Sequence, residues 1–107
     1  MYLKIPGKNI DIYEMTGFKR RFTSLKFQLK TLDIGLCFPK CKILDTYFYC
    51  QRVDAIFTDN ENKILYMHEN IRSEKRKFHW KAKKLYIFPL GTCQYFDVGD
   101  KLRIKEK

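Results

Sequence analysis

The sequence predicts a small, mainly β, barrel-like domain: a strongly curved antiparallel or mixed sheet of about seven short strands, with one amphipathic helix near the N-terminus. Three observations lead there. The 107 residues, 45% of them hydrophobic, have room for one core and one domain, residues 1–107. Seven Tyr, nine Phe and one Trp favour strands and a core filled by rings. Short alternating apolar runs broken by turn residues recur along the chain, whereas one stretch alone keeps a helical period. Short strands with so little helix to cover them must curl until their edges close or are shielded.

The elements follow in order. Tyr2–Ile5 alternates and stops at Pro6-Gly7, and Asn9–Tyr13 alternates again with Ile10 and Ile12 on one face, giving two short strands. From Thr16 the period changes, and Phe18, Phe22, Leu25 and Leu29 form a helix stripe from about Gly17 to Leu29. Lys19, Arg20, Arg21, Lys26 and Lys30 decorate that helix. Basic side chains in its first turn oppose the helix dipole unless an anion sits there. Ile34, Leu36 and Phe38 alternate up to a turn through Pro39 and Lys40, and the next strand starts at Ile43.

The best-specified part is Thr46–Met67. Val53, Ala55 and Phe57 lie on one face of a strand and Asp54, Ile56 and Thr58 on the other, so apolar bulk on both faces makes it a central strand. Asp59-Asn60-Glu61-Asn62 then forms a turn with Asn62 in the left-handed position, and Ile64–Met67 returns as its hairpin partner. Residues 72–79 read as an exposed loop because charge leaves no periodicity, and Lys84–Phe88 as a buried strand ended by Pro89 and Gly91. Cys93–Phe96 reads as one helical turn, Val98-Gly99-Asp100 as a turn, and Leu102 with Ile104 as a last strand. Gly91 and Gly99 are expected at positive φ.

Charge and cysteines bound the partners. Twenty-two Lys and Arg against twelve Asp and Glu leave a formal +10, which attracts polyanions such as nucleic acid. No run of 18 apolar residues is present, so no membrane insertion is expected; the start MYLKIPGKN carries no apolar signal segment, which implies a reducing cytoplasm. In that compartment Cys37, Cys41, Cys50 and Cys93 are thiols rather than disulfides, Cys37 and Cys50 acting as small buried hydrophobes. Cys37 and Cys41 have no second Cys or His pair to complete a zinc site, and neither metal nor cofactor is expected. The expected partner is an unidentified ligand taken by a monomer.

The order of motifs FKRRFTSLKF, IGLCFPKCKILDTYFYCQRVDAIFTDNENKIL, LYIFPLGT and VGDKLRI resembles the domain of unknown function 192 family over residues 9–105. Arg21, Leu25, Thr46, Phe48, Asp54, Phe57, Asp59, Pro89, Gly91, Gly99 and Asp100 stand on that family's motif positions. Ser24 and Lys26 replace its usual Gly and Met, Asp45 its frequent His, and Phe88 a Glu. The resemblance implies a mainly β, barrel-like fold and no settled activity.

Three constellations carry chemistry. Asp54, in mid-strand, must be paired with a cation such as Arg21 or Arg52 or hydrogen-bonded by backbone amides; alternatively it floors a ligand pocket lined by Thr46, Tyr47 and Tyr49 with Arg21 nearby. A hydrolase pairing Asp54 with Asp45 is the enzymatic alternative. The second constellation is the most basic window, in which Arg72, Lys75, Arg76, Lys77, Lys81, Lys83 and Lys84 interleave with Phe78, His79, Trp80 and Tyr86, a pattern that can track phosphates and stack bases. The third is a Cys93–His79 dyad, which exists only if the fold joins them. With no glycine-rich phosphate loop, Gly-flanked nucleophile or metal cluster, the residues point to a non-enzymatic binding module.

Overall fold

A computed structural model describes residues 1–14, 33–45, 52–72 and 75–106. Seven of its strands form one curled mixed sheet, a half-barrel: β1 (Tyr2–Ile5), β2 (Lys8–Glu14), β3 (Gly35–Pro39), β5 (Val53–Thr58), β6 (Ile64–Ile71), β8 (Lys84–Phe88) and β9 (Ile104–Lys105). Their spatial order is β6-β5-β8-β3-β2-β1-β9, with β2 and β3 parallel and every other pair antiparallel. Two further strands, β4 (Ile43–Asp45) and β7 (Arg76–Phe78), pair antiparallel as a separate ribbon.

The central strand expected over Val53–Thr58 is found there, flanked by β6 and β8 and buried at all six residues. Alternation divides the apolar side chains between the faces. Val53, Ala55 and Phe57 join Leu36, Phe38, Leu85 and Ile87 on one face, where Leu44 of the ribbon also packs. Ile56 joins Cys37, Tyr86 and Phe88 on the other, inside the curl, with Leu3, Ile5, Ile10, Ile12 and Leu102. Strands buried on both faces read as near-continuous apolar runs, as VDAIFT and KLYIF do. Gly35 belongs to the inner face, where a Cβ would lie 2.8 Å from the Phe88 ring. Glycine there lets β2, β3 and β8 close around that ring.

The curl is held where its edges approach each other. Beyond the Asp59–Asn62 turn the C-terminal segment runs along the start of β6: Ile64 N–H donates to the Asp100 carbonyl at 2.8 Å, Leu102 N–H to the Asn62 carbonyl at 2.9 Å, and Lys63 and Lys101 form an isolated bridge. The same segment then supplies β9, which pairs with β1 at the far edge. Both edges are thus tied to one stretch of chain, which limits strand addition by another molecule.

The turn chemistry is as expected. Asn62 has φ 65°, Gly91 φ 96° and Gly99 φ 98°. Asp59 Oδ1 accepts the amides of Glu61 (2.8 Å) and Lys63 (3.0 Å). The expected turn at Cys93–Phe96 is a 3-10 turn over Thr92–Tyr95. One element differs: 76–78, expected within an exposed loop, is strand β7, all three of whose side chains are exposed. Backbone pairing with β4 needs no apolar side chain, so hydropathy could not reveal it. The helix expected from about Gly17 to Leu29 lies outside the described residues; among those described there is no α-helix.

Candidate functional site

Asp54 is the best-anchored polar side chain. Buried at 1% exposure, it directs its carboxylate to the inner face and toward the ends of both neighbouring strands. Oδ1 accepts the Asn70 amide at 2.9 Å, and Oδ2 accepts those of Gly91 at 3.0 Å and Cys93 at 2.9 Å. Asn70 (φ 54°) and Gly91 hold left-handed backbone at the points where the chain bends around the carboxylate. Of the partners the sequence allowed, these are the backbone amides; Arg52 instead donates to Asn70 Oδ1 at 3.3 Å. A shallow depression of ≈ 250 Å³ opens beside Asp54, lined by Glu69, Asn70, Leu90, Gly91 and Gln94. Three amide hydrogens on two oxygens make this carboxylate a structural staple rather than a free base. The expected pocket partners Arg21, Thr46, Tyr47 and Tyr49 lie outside the described residues.

Cys93 is buried beside Asp54, and burial, with the nearby Asp54 and Glu69 carboxylates, pushes its thiol far above the ordinary range. His79 packs on the opposite face of the sheet, its ring in T-shaped contact with Phe57 at 4.7 Å between centroids. The two therefore form no dyad.

His79 has a different partner. Its Nε2 lies 2.8 Å from Nε2 of His68 on β6, a hydrogen bond that ties the chain after β7 to the main sheet. The ring planes differ by 14° and their centroids are 5.0 Å apart. Face-to-face stacking would hold the nitrogens at least a van der Waals thickness apart, so the rings meet edge to edge and nearly coplanar. One Nε2 carries the proton and the other offers its lone pair. Tyr66 stacks on His79 at 3.8 Å and 9°, and the Phe57 ring stands nearly perpendicular to both imidazoles. Burial lowers the proton affinity of both, His79 and Lys77 acting further on His68 and Lys77 on His79. Nothing local in the sequence marks this pair, since His68 lies on β6 and His79 follows β7, which pairs with β4 and not with β6.

Beside the pair opens a cleft of ≈ 400 Å³ lined by Arg52, His68, Asn70, Arg72, Lys75 and Lys77, with Glu69 as its one carboxylate among the described residues. Arg72, Lys75 and Lys77 of the predicted basic window therefore come together, and Arg52 joins them from the start of β5. Lys83 and Lys84 do not. Lys84 is paired with Thr58 at the opposite end of β5, about 17 Å away at strand rise, and its Nζ donates to Asn62 Oδ1 at 3.3 Å. Arg76 lies on β7 opposite Asp45.

The aromatics divide in the same way. Phe78 and Trp80 are 61% and 68% exposed, with the Lys81 ammonium 5.6 Å from the Trp80 ring. Lys42 Nζ, donating to the carbonyls of Trp80 and Ala82, fixes that turn. Tyr86 is buried, as expected of strand Lys84–Phe88, and so cannot serve the base-stacking pattern that also named it; its hydroxyl donates to Asn62 Oδ1 at 2.7 Å. A residue in the middle of a strand covered on both faces cannot reach a surface ligand. No helix among the described residues is long and apolar enough to cross a membrane.

No family model matches the chain, and no curated protein matches it. Solved structures share its fold. A candidate transcription regulator from Sinorhizobium meliloti 1021 aligns with a TM-score of 0.78 at 15% identity, covering 95% of this chain and 89% of that one. A protein of unknown function from Novosphingobium aromaticivorans DSM 12444 aligns with a TM-score of 0.71 at 12% identity, covering 96% and 82%. At such identities the likeness is one of fold: this chain has the half-barrel that those two proteins share.

Proposed function

We propose that the protein is a non-enzymatic binding module that takes a phosphate-bearing ligand in the cleft between β6 and β7. The observation that carries this is the convergence of Arg52, Arg72, Lys75 and Lys77 on one concavity of ≈ 400 Å³. Guanidinium forks and ammonium groups there match the oxygens of a phosphoryl group. The exposed rings of Phe78 and Trp80 favour a second reading, in which a single nucleic-acid strand leaves the cleft and stacks on them. The S. meliloti neighbour's description as a transcription regulator is compatible with such a ligand. Hydrolysis through Asp54 has less support, because three amides already occupy its carboxylate.

We also propose membership of the domain of unknown function 192 family, supported by the order of motifs from FKRRF to VGDKLRI on a mainly β, half-barrel frame. The free thiols of Cys37, Cys41 and Cys93 fit a reducing cytoplasm, and the tied sheet edges fit a monomer.

Charge reversal at matched net charge tests the cleft. Arg72→Glu with Lys75→Glu lowers the formal charge from +10 to +6, and so does Lys101→Glu, by the start of β6, with Lys105→Glu, on the β1 edge, neither of which lines the cleft. Binding of inorganic phosphate and of a short single-stranded oligonucleotide should fall at least about tenfold in the first variant and much less in the second, because only the first removes direct contacts. Equal losses would assign the affinity to net charge and remove the cleft as the site.

A further inference from the structure

His68 lines the basic cleft, and His79 stands behind it, held to its Nε2 at 2.8 Å; the proposed binding of phosphate assigns this pair no part. We propose that this pair is a proton acceptor coupled to the cleft, so that an oxyanion bound among Arg52, Arg72, Lys75 and Lys77 draws one proton onto the two imidazoles. The inference rests on the cleft reading above and adds to it the charge state of the site and the direction of its pH dependence.

The geometry allows one proton and resists a second. In the neutral pair one Nε2–H points at the other Nε2, so the donor ring's Nδ1 is left without hydrogen. A first added proton settles on that Nδ1. It turns the contact into an imidazolium-to-imidazole hydrogen bond, which is charge-assisted and stronger, and the link between β6 and the β7 chain survives. A second proton would place two N–H groups head to head at 2.8 Å and break the link. The same geometry argues against a metal ion here. Lone pairs aimed at each other along a 2.8 Å line leave no point at which an ion reaches both nitrogens at about 2.0–2.1 Å along their axes.

The surrounding charges set the sign. His79 faces Tyr66 and Phe57, which are neutral; Lys77 of β7 faces both imidazoles. Arg52, Arg72 and Lys75 stand around the cleft, and Glu69 is the one acidic group lining it among the described residues. Without an anion, burial first, and then Lys77 and for His68 also His79, hold the histidines below their ordinary proton affinity. A bound oxyanion offsets the cations and favours the imidazolium, so its folded-state proton affinity rises on binding. Binding therefore takes up a proton between the empty and occupied midpoints, and affinity increases as pH falls through that window.

Sulfate is the probe of choice because it does not itself titrate between pH 5 and 8, so any pH dependence belongs to the protein. Sulfate affinity measured by calorimetry at several pH values should rise up to about tenfold per unit of acidification below pH 7, the slope of one linked proton. His79→Gln, outside the lining of the cleft, should flatten that slope while retaining sulfate binding at pH 7.5, and His68→Gln should flatten it as well. Nitrogen NMR of the wild-type imidazoles provides a measurement independent of those variants, with the midpoint of the pair expected to move upward on adding sulfate. A wild-type slope equal to that of the glutamine variants, or an unmoved midpoint with sulfate bound, overturns the coupling and leaves the cleft reading intact. Absence of sulfate and phosphate binding at every pH overturns the cleft reading and the coupling with it.

Discussion

At the scale of single residues, Asp54 concentrates the fold's polar specificity. It sits on β5 and binds amides from Asn70 at the end of β6 and from Gly91 and Cys93 just beyond β8, so one carboxylate fixes where both neighbours of the central strand end. Its sequence context showed that it needed partners, but not which ones, because those amides lie 16, 37 and 39 residues along the chain. Asp54→Ala would strand three amide donors, each worth about 1–3 kcal/mol where water cannot reach it. The depression beside Asp54 admits some water, so a loss of about 3 kcal/mol is expected from urea unfolding. Asp54→Asn is expected to lose nearly as much, since an NH₂ in place of either oxygen faces at least one backbone N–H. A loss under about 1 kcal/mol in both variants would mean that the carboxylate is not the staple described.

Among the elements, β5 was the most legible and β7 the least, for one physical reason. A strand covered on both faces must be apolar throughout, and VDAIFT is, save for the stapled Asp54 and Thr58, whose hydroxyl donates to the Asp59 carbonyl at 3.0 Å. A strand exposed on an outlying ribbon leaves no such trace: Arg76-Lys77-Phe78 is indistinguishable from loop until β4 is seen beside it. The turn after β5 was readable because Asn tolerates left-handed backbone, yet its second task was hidden, since Asn62 Oδ1 also accepts from Tyr86 and Lys84. Phe57 carries the greatest packing load on β5, fully buried among Leu85, Ile87 and Val53 and in T-shaped contact with both histidines. Phe57→Ala should cost about 3–5 kcal/mol in chemical denaturation. Phe57→Leu, which keeps most of the volume, should cost roughly 1–1.5 kcal/mol. The alanine variant should also disperse the imidazole NMR signals of the His68–His79 pair, because the ring in T-shaped contact with both is gone. A near-neutral alanine variant would contradict the burial on which the half-barrel rests.

At the scale of the whole molecule, the cations of the basic window are spread lengthwise rather than gathered in one patch. Arg72 and Lys75 lie at one end of the β5–β6 hairpin, Lys77 and His79 over its middle, and Lys83 and Lys84 at the turn end, with Trp80 between the middle and that end. This arrangement was half legible: the sequence showed the cations and the aromatics in one window, but only the register of β7 and β8 separates the ends of that window and buries Tyr86. A stripe of this length offers a phosphate backbone six or more cations. Duplex affinity should then fall by about three decades between 50 and 200 mM salt, at a log–log slope of about −0.9 per phosphate. Net charge alone produces similar steepness, so the path of the strand has to be read from paired variants. If a single strand occupies the full stripe, Arg72→Ala with Lys75→Ala and Lys83→Ala with Lys84→Ala should each reduce the salt slope, by about 0.7 per contact removed. If it occupies the cleft alone, only the first pair should do so. Trp80→Ala decides whether bases stack, with an expected loss of about 1–3 kcal/mol for single strands and little for duplex at physiological salt. Equal losses for both nucleic acids would leave Trp80 as a support for the Lys42-anchored turn, and the ligand of the cleft would then be a small phosphate compound rather than a strand.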